Sequence, residues 1–243
     1  MPRPISLDLA RKNRLLAHLP PEQLERWRAQ MRLVAMPLGH TVFESNAEVK
    51  KVYFPIDSIV SLLYVLENGA SAEIAVVGND GVVGVSLFMG GVSTSSRAVV
   101  QSAGSALELP SSTLMKDFEA AGAVLHLLLR YTQALITQMA QTAVCNRHHA
   151  IRQQLCRWLL LSLDRLEGNE LSMTQELIGD MLGVRRPSVN AEARRLQKMG
   201  AIEYHRGHIV VLDRSKLEAC TCECYSVVKR ETDRLLPQPD ARS

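Results

Sequence analysis

A chain of 243 residues, 47% hydrophobic and 22% charged, has room for two cores and the make-up of an ordinary folded protein. No stretch approaches the roughly 20 apolar residues of a membrane span, and the first residues lack a signal peptide's apolar centre, so the reading is no membrane partner and a cytoplasmic location. The net charge of +3 is uneven: residues 1–143 hold 12 Lys and Arg against 12 Asp and Glu, which leaves the whole excess in the remaining 100.

Residues 4–33 read as short helices around the Pro20-Pro21 break, anchored by Leu15, Leu16, Leu19, Leu24 and Trp27. From Val34 to Pro110 the texture changes to short alternating or apolar runs, TVFES, KKVYFPI, SIVSLLYVL, AEIAVV, RAVVQSAG and ALELP, punctuated by glycine and asparagine. Many short strands at such spacing predict an antiparallel sandwich or barrel, with Asn68-Gly69 as its best hairpin turn. From Ser111 the period becomes helical. Leu125, Leu129, Thr132, Ile136, Met139 and Ala143 alternate spacings of four and three, a seam over about three heptads. Such a seam either packs on its own barrel or pairs with a second copy, and the second reading, a parallel homodimer, is preferred. A further helix over His148–Leu166 places Ile151, Leu155, Trp158, Leu159 and Leu163 on one buried face, and the tail from Pro237 reads as loose.

Residues Leu171 to Asp213 carry the strongest local pattern: helix, tight turn, helix, then a short hairpin. Thr174 is placed to cap a helix whose inner side holds Leu177, Ile178, Met181 and Leu182, and Gly183 ends it in the left-handed turn that two crossing helices need. A second helix starts near Arg186 and Pro187. Val189, Ala193 and Leu196 face its core side, leaving Pro187, Ala191, Arg194, Arg195 and Lys198 outward, with Arg185, Arg186, Ser188 and Asn190 at its beginning. Arginine can grip a guanine edge with two bonds, asparagine and serine can read or position, and Lys or Arg neutralise phosphates, so this is a face for the major groove of double-stranded DNA. Ile202, Tyr204, Ile209 and Val211 flank a His205-Arg206-Gly207-His208 turn, which reads as a basic wing with Arg206 and His208 near the duplex. The bland alternatives are two packed helices with a solvated basic face, or a winged helix that docks another protein.

The five cysteines are Cys145, Cys156, Cys220, Cys222 and Cys224, an odd number that suggests reduced thiols. Cys220, Cys222 and Cys224 at alternate positions could hold zinc or an iron-sulfur cluster with help from Cys145, His148 and His149. On one continuous helix, however, Cys222 would point away from Cys220 and Cys224, so no metal and no cofactor is the first expectation. A thiol- or metal-dependent redox sensor is the alternative function. Gly-x-Ser-x-Gly, Walker-type and His-Glu-x-x-His patterns do not occur in the sequence, and no enzymatic activity is expected.

The order of strand-rich barrel, long seam helix and carboxy-terminal winged helix resembles the CRP/FNR family of bacterial transcription regulators. The resemblance is most specific over TQELIGDMLGVRRPSVNAEARRLQKMGAIEYHRGHIVVLD, with weaker support from VYFP at Val52–Pro55 and GNDGVVG at Gly78–Gly84. It implies an α+β chain: an antiparallel β-roll or jelly-roll sensor over residues 1–118, a dimerisation helix over 119–146, a winged helix-turn-helix over 147–236 and a loose tail over 237–243. It also implies a homodimer on a pseudo-palindromic operator, in contact with RNA polymerase.

Carried over by position, the family's phosphate-clamping residues fall on Thr174 and Gln175, and its base readers on Arg186, Pro187 and Ala191. Cyclic-AMP-responsive members have Glu and Arg where this chain has Pro187 and Ala191, so a different DNA target is implied, with Ser188, Asn190 and Arg194 as replacement contacts. The cyclic-nucleotide pocket of such relatives would map to Gly81, Val82, Gly84, Ser95, Ser96 and Arg97. Here Val82 stands where a Glu should accept the ribose hydroxyls, and Ser96-Arg97 reverses an Arg-Ser pair, so cyclic AMP is not the implied effector.

Overall fold

The computed structural model describes residues 5–91, 93–205 and 207–237. Three short helices open it: α1 (Leu7–Arg11), capped by Ser6, α2 (Arg14–Ala17), capped by Asn13, and α3 (Pro21–Arg28), whose proline sits in the first turn where no amide is needed. Seven strands follow: β1 (Arg32–Met36), β2 (Thr41–Phe43), β3 (Lys51–Pro55), β4 (Ile59–Val65), β5 (Ser71–Val77), β6 (Arg97–Ser102) and β7 (Gly104–Pro110). They form two antiparallel sheets, ordered β1-β7-β3 and β2-β6-β4-β5, which close a roll around Phe54, Val60, Leu62, Val100, Leu107 and Leu109. Asn68-Gly69 lies in the β4–β5 hairpin, its Asn68 side chain accepting from the Ala70 amide at 3.0 Å.

Then come α4 (Ser111–Glu119), the 26-residue α5 (Ala123–His148), α6 (Ile151–Leu163), β8 (Glu170–Ser172), α7 (Gln175–Leu182), α8 (Arg186–Lys198), β9 (Ile202–His205), β10 (His208–Val211), α9 (Arg214–Cys220) and α10 (Glu223–Leu235). The second half has its own core on α6, α7, α8 and the β8-β10-β9 sheet, built on Leu155, Leu159, Ile178, Val189, Leu196 and Ile209. No described helix is long and apolar enough to cross a membrane.

Three sequence expectations change in the fold. Thr132 is not on an outward seam: it is buried against its own chain, its hydroxyl donating to the Leu128 carbonyl at 2.8 Å. The helix expected from His148 starts at Ile151, because the chain turns extended at His149 and Ala150 and Gln153 accepts the Ala150 amide at 3.1 Å. The helix expected to carry Cys220 and Cys224 together breaks at Thr221, so the cysteines lie on two helices. The predicted loose tail lies mostly outside the described residues, and Leu235 and Leu236 just before it are buried.

The two halves share a buried face. Residues 154–163 of α6 are buried on every side, not along one stripe, because the outer face of the β2-β6-β4-β5 sheet covers what would otherwise be solvated. On that face Leu63 and Val99 meet Met181 and Leu177 of α7, and Ile59 and Val76 join the core of the second half. Polar groups cross it in a chain: Ser61 donates to Glu73 at 2.5 Å and lies 2.6 Å from Gln101, whose amide donates to Ser162 at 3.0 Å. Arg165 forks onto Asp80 with contacts of 3.1 and 2.8 Å, the arginine side chain being 5% exposed.

Burial pushes the Glu73 carboxyl from 4.5 up to about 7, against the pull of the Ser61 hydroxyl and the Arg157 and Arg165 guanidiniums. A raised carboxyl pKa means the folded state holds a proton that the unfolded state has released between pH 4.5 and about 7. Stability therefore falls as pH rises through that window and levels off above it. Glu73→Gln should remove this loss, up to about 3 kcal/mol. Urea titrations of both proteins from pH 5 to 8 measure it; parallel stability curves for the two would show that Glu73 is not the group responsible.

Candidate nucleic-acid interface

The helix-turn-helix is assembled from local rules. Thr174 accepts the Leu177 amide at 3.2 Å, which satisfies a first-turn donor of α7, and Ile178, Met181 and Leu182 turn inward. Gly183 takes φ 65° and ψ 31°, the left-handed cap that a side chain would strain. Pro187 occupies the first turn of α8, and Val189, Ala193 and Leu196 bury the helix against α6 and α7.

The opposite face is open. Arg185, Arg186, Pro187, Ala191, Arg194, Arg195 and Lys198 are exposed, whereas Ser188 and Asn190 are half-buried. Arg185, Arg186, Arg194 and Lys198 make no ion pair among the described residues. Arg195 differs: it meets Glu192 at 2.6 Å, and Glu192 also takes Arg152 of α6 at 2.9 Å, so this acid ties α8 to the body of the domain. Gln175 and Asn190 approach each other, Nε2 to Oδ1 at 3.4 Å, which joins a residue predicted for phosphate to one predicted for bases. Exposed Thr174 stands at the start of α7, and His208 lies on the wing, its Nδ1 3.1 Å from the Ser172 hydroxyl. Arg206 lies outside the described residues.

Sequence reasoning missed the hollow between these parts. Thr174, Gln175, Glu176, Arg186, Tyr204 and Gly207 line a concavity of about 410 Å³ where the starts of α7 and α8 meet the wing. Tyr204 donates to the Met173 carbonyl at 2.8 Å, and burial pushes its hydroxyl up to about 12 against the opposing charge of Arg186. The amino termini of α7 and α8 that border it suit a phosphodiester, whereas the Tyr204 proton is already committed to Met173 and the Glu176 carboxylate opposes an anion. The alternating Ile202 and Tyr204 signalled the strand; nothing local signalled that Tyr204 would stand beside Arg186.

Residues 153–220 match the family model of the Crp-like helix-turn-helix domain, and residues 33–120 that of the cyclic nucleotide-binding domain. Together the two cover more than half of the chain. The chain belongs to the CRP/FNR family. Among solved structures it is similar to FixK2 from Bradyrhizobium japonicum, with a TM-score of 0.66 and 18% identity over 79% of this chain and 98% of that one. It is also similar to CLP, a c-di-GMP-responsive global regulator from Xanthomonas campestris, with a TM-score of 0.62 and 16% identity over 79% and 99%. A CRP-family transcriptional regulator from Thermus thermophilus gives a TM-score of 0.63 and 17% identity over 77% and 95%. No curated protein sequence matches the chain. This CRP/FNR-family chain is a transcription regulator with a nucleotide-binding-type roll and a DNA-binding helix-turn-helix.

Within this CRP/FNR roll, the segment corresponding to the family's ribose contact does something else. Val82 and Val83 are 1% exposed, and Gly84 lies against Val49, Val52 and Phe43. Tyr131 of α5 donates to the Val82 carbonyl at 3.0 Å, its ring filling the space where a Cβ on Gly81 would lie, 2.5 Å from the nearest ring atom. Asn13 binds the Gly81 and Pro55 carbonyls from the other side, at 3.0 and 2.9 Å. The strand end that should hold a phosphate is also engaged. Arg97 donates to Thr41 at 3.0 Å and lies 3.2 Å from Glu44, Ser95 pairs with Tyr64 at 2.8 Å, and Ser96 pairs with Thr94 at 3.1 Å. Of the six residues predicted as one pocket, Gly81, Val82 and Gly84 thus take part in packing, and Ser95, Ser96 and Arg97 in side-chain hydrogen bonds.

The cysteines also regroup. Cys220 stands apart, while Cys222 and Cys224 converge with Cys145 and His149. Burial pushes the Cys145 and Cys224 thiols above their usual range.

Gly81→Ala decides between packing joint and open pocket. Because the new methyl meets the buried Tyr131 ring, it should destabilise the protein by about 1 to 3 kcal/mol. Denaturant unfolding measures the change, and an unaltered midpoint would place free space beside Gly81.

Proposed function

We propose that this regulator acts as a homodimer that reads a pseudo-palindromic operator with two copies of α8, and that it works alongside RNA polymerase. The observation that carries the reading is the exposed face of α8, where Arg185, Arg186, Arg194 and Lys198 are left without internal ion pairs among the described residues. A cation that a protein neither buries nor pairs costs nothing to present to phosphate, and an arginine at the start of a groove-sized helix can take both acceptors of a guanine. Thr174, Gln175, the hollow beside Tyr204 and His208 on the wing would hold the backbone, and Arg186, Ser188, Asn190 and Arg194 would meet base edges.

Two-fold symmetry is supported by α5. Leu129 is 47% exposed and Ile136 49% exposed, and with half-buried Leu125 and Met139 and exposed Ala143 they leave an apolar strip along one side. Water-facing leucine and isoleucine at helical spacing fit a second copy of the same helix, with Thr132 replaced in the strip by Gln133. Cyclic AMP is not the effector in this reading, since Val82 offers no acceptor and Arg97 is already held by Thr41 and Glu44.

Selection of bound duplexes from random sequence should return a two-fold symmetric motif with half-sites about 10 base pairs apart. Arg186→Ala should lower discrimination at one base position by about 1 to 3 kcal/mol, while equal weakening on specific and random DNA would make Arg186 a phosphate contact. Ile136→Glu should convert the dimer to monomers in sedimentation, with loss of operator binding and retention of helical content. Unchanged sedimentation would remove α5 as the contact.

A further inference from the structure

We propose that Cys145, His149, Cys222 and Cys224 form a tetrahedral Cys3His site for one divalent metal ion of zinc's chemistry, clamping the end of α5 to the start of α10. The four residues come from two remote segments, and their ligand atoms all lie within 4.8 Å of one another. Cys145 Sγ is 3.6 Å from Cys222 Sγ, and Cys224 Sγ is 3.6 Å from His149 Nδ1. Bonds of about 2.3 Å to sulfur and 2.0 to 2.1 Å to nitrogen give tetrahedral edges of about 3.8 Å between sulfurs and about 3.6 Å between sulfur and nitrogen. Those two separations match the edges around a single ion, and the other pairs lie within 4.8 Å, so small side-chain shifts close the tetrahedron. An iron-sulfur cluster, with several irons and sulfides between its thiolates, needs a wider cage.

Two further observations fit an ion. His149 directs Nδ1 at the sulfurs and Nε2 at Glu223, 3.4 Å from its carboxylate, the outer partner that fixes the tautomer of a metal-binding imidazole. Arg157 is 3% exposed, reaches Thr142 through one nitrogen at 3.1 Å, leaves Nε without a partner, and sets its charge beside Cys145. One divalent ion displaces three thiol protons to solvent, and the resulting centre carries a single negative charge. A buried guanidinium neutralises that charge. Cys145, Cys222 and Cys224 are at most 5% exposed, so the coordination is closed and structural, with no open position for substrate.

The consequence is mechanical. The Cys145–Cys222 link joins residues 77 positions apart in sequence and encloses α6, α7, α8 and the wing, so the metal would staple the whole DNA-reading half onto the end of α5.

The test uses the full chain, purified without chelator under reducing conditions, with metal content per chain measured by mass spectrometry. Cobalt(II) titration of the wild-type protein then reads coordination directly, through thiolate-to-cobalt charge transfer and the intense visible bands of a tetrahedral ion. One zinc per chain, a tetrahedral cobalt spectrum and a lower thermal midpoint after chelation are expected. Cys145→Ser and Cys222→Ser should lose tight binding, Cys220→Ser should keep it, and Glu223→Gln, on a surface side chain that leaves the fold intact, should weaken it about 10- to 100-fold. Substoichiometric metal, an octahedral cobalt spectrum, iron with inorganic sulfide, a Cys145–Cys222 disulfide, or equal affinity in Cys220→Ser and Cys222→Ser would each overturn the site. None of these readouts involves DNA, so the metal site and the operator reading fail independently.

Discussion

The outer face of the β2-β6-β4-β5 sheet is the surface on which the DNA-reading half sits. Apolar area supplies the attraction there, through Leu63, Val99, Ile59 and Val76 against α6 and α7. Polar groups set the position. The chain from Glu73 through Ser61 and Gln101 to Ser162 crosses the joint, and Arg165 forks onto Asp80 beside it. A buried ion pair adds little net stability, but a displaced seating would leave a guanidinium unpaired away from water, which costs several kcal/mol (about 3 to 5). The apolar contacts hold the halves together, and the charged contacts allow them one register.

Strand β5 is where this register reaches both partners. It lies at the edge of its sheet, with its free backbone facing α5, and Gln138 of α5 completes it by taking the Val76 amide at 3.0 Å and donating to the Val76 carbonyl at 3.1 Å. A side chain thus stands in for the missing neighbouring strand and seals an edge that would otherwise invite another chain. The same strand meets the turn of the helix-turn-helix, Ala72 lying 4.0 Å from where a Cβ on Gly183 would be. One strand touches the helix proposed to pair two copies and the turn that aims the recognition helix.

Much of this was legible in the sequence, because local rules governed it. Spacing gave α5, α7 and α8, Gly183 gave the turn between the last two, and alternation with turn residues gave the roll. What escaped was set by partners remote in sequence. Glycines 78 and 81 do sit in a turn, the Gly81 amide donating to the Gly78 carbonyl at 3.1 Å, but each also makes room for a distant side chain that spacing does not reveal, Arg165 at one and Tyr131 at the other. The apolar density of α6 suggested one buried face; burial all round follows from a sheet more than fifty residues earlier. Thr132 fitted the seam by count alone, since its hydroxyl bonds back to the carbonyl one turn earlier and lets threonine face a core. The three clustered cysteines misled for the same reason: a break at Thr221 turns Cys222 and Cys224 toward Cys145 and leaves Cys220 behind.

The break between α5 and α6 decides how the reading half could move. Gln154 donates to the His149 carbonyl at 2.8 Å, so the extended residues between the helices are pinned from inside and do not form a loose hinge. Swinging α8 away from the roll would have to open the Arg165–Asp80 pair, the Gln101–Ser162 bond and the α7 contact with Val99 together, since all three lie on the same face. Interfaces of this kind switch between discrete seatings and do not deform gradually. A signal acting on the roll would therefore work by changing the shape of β4, β5 or β6 enough to favour another seating. The proposed clamp at Cys145 and Cys222 would preserve the connection to α5 while the seating changes.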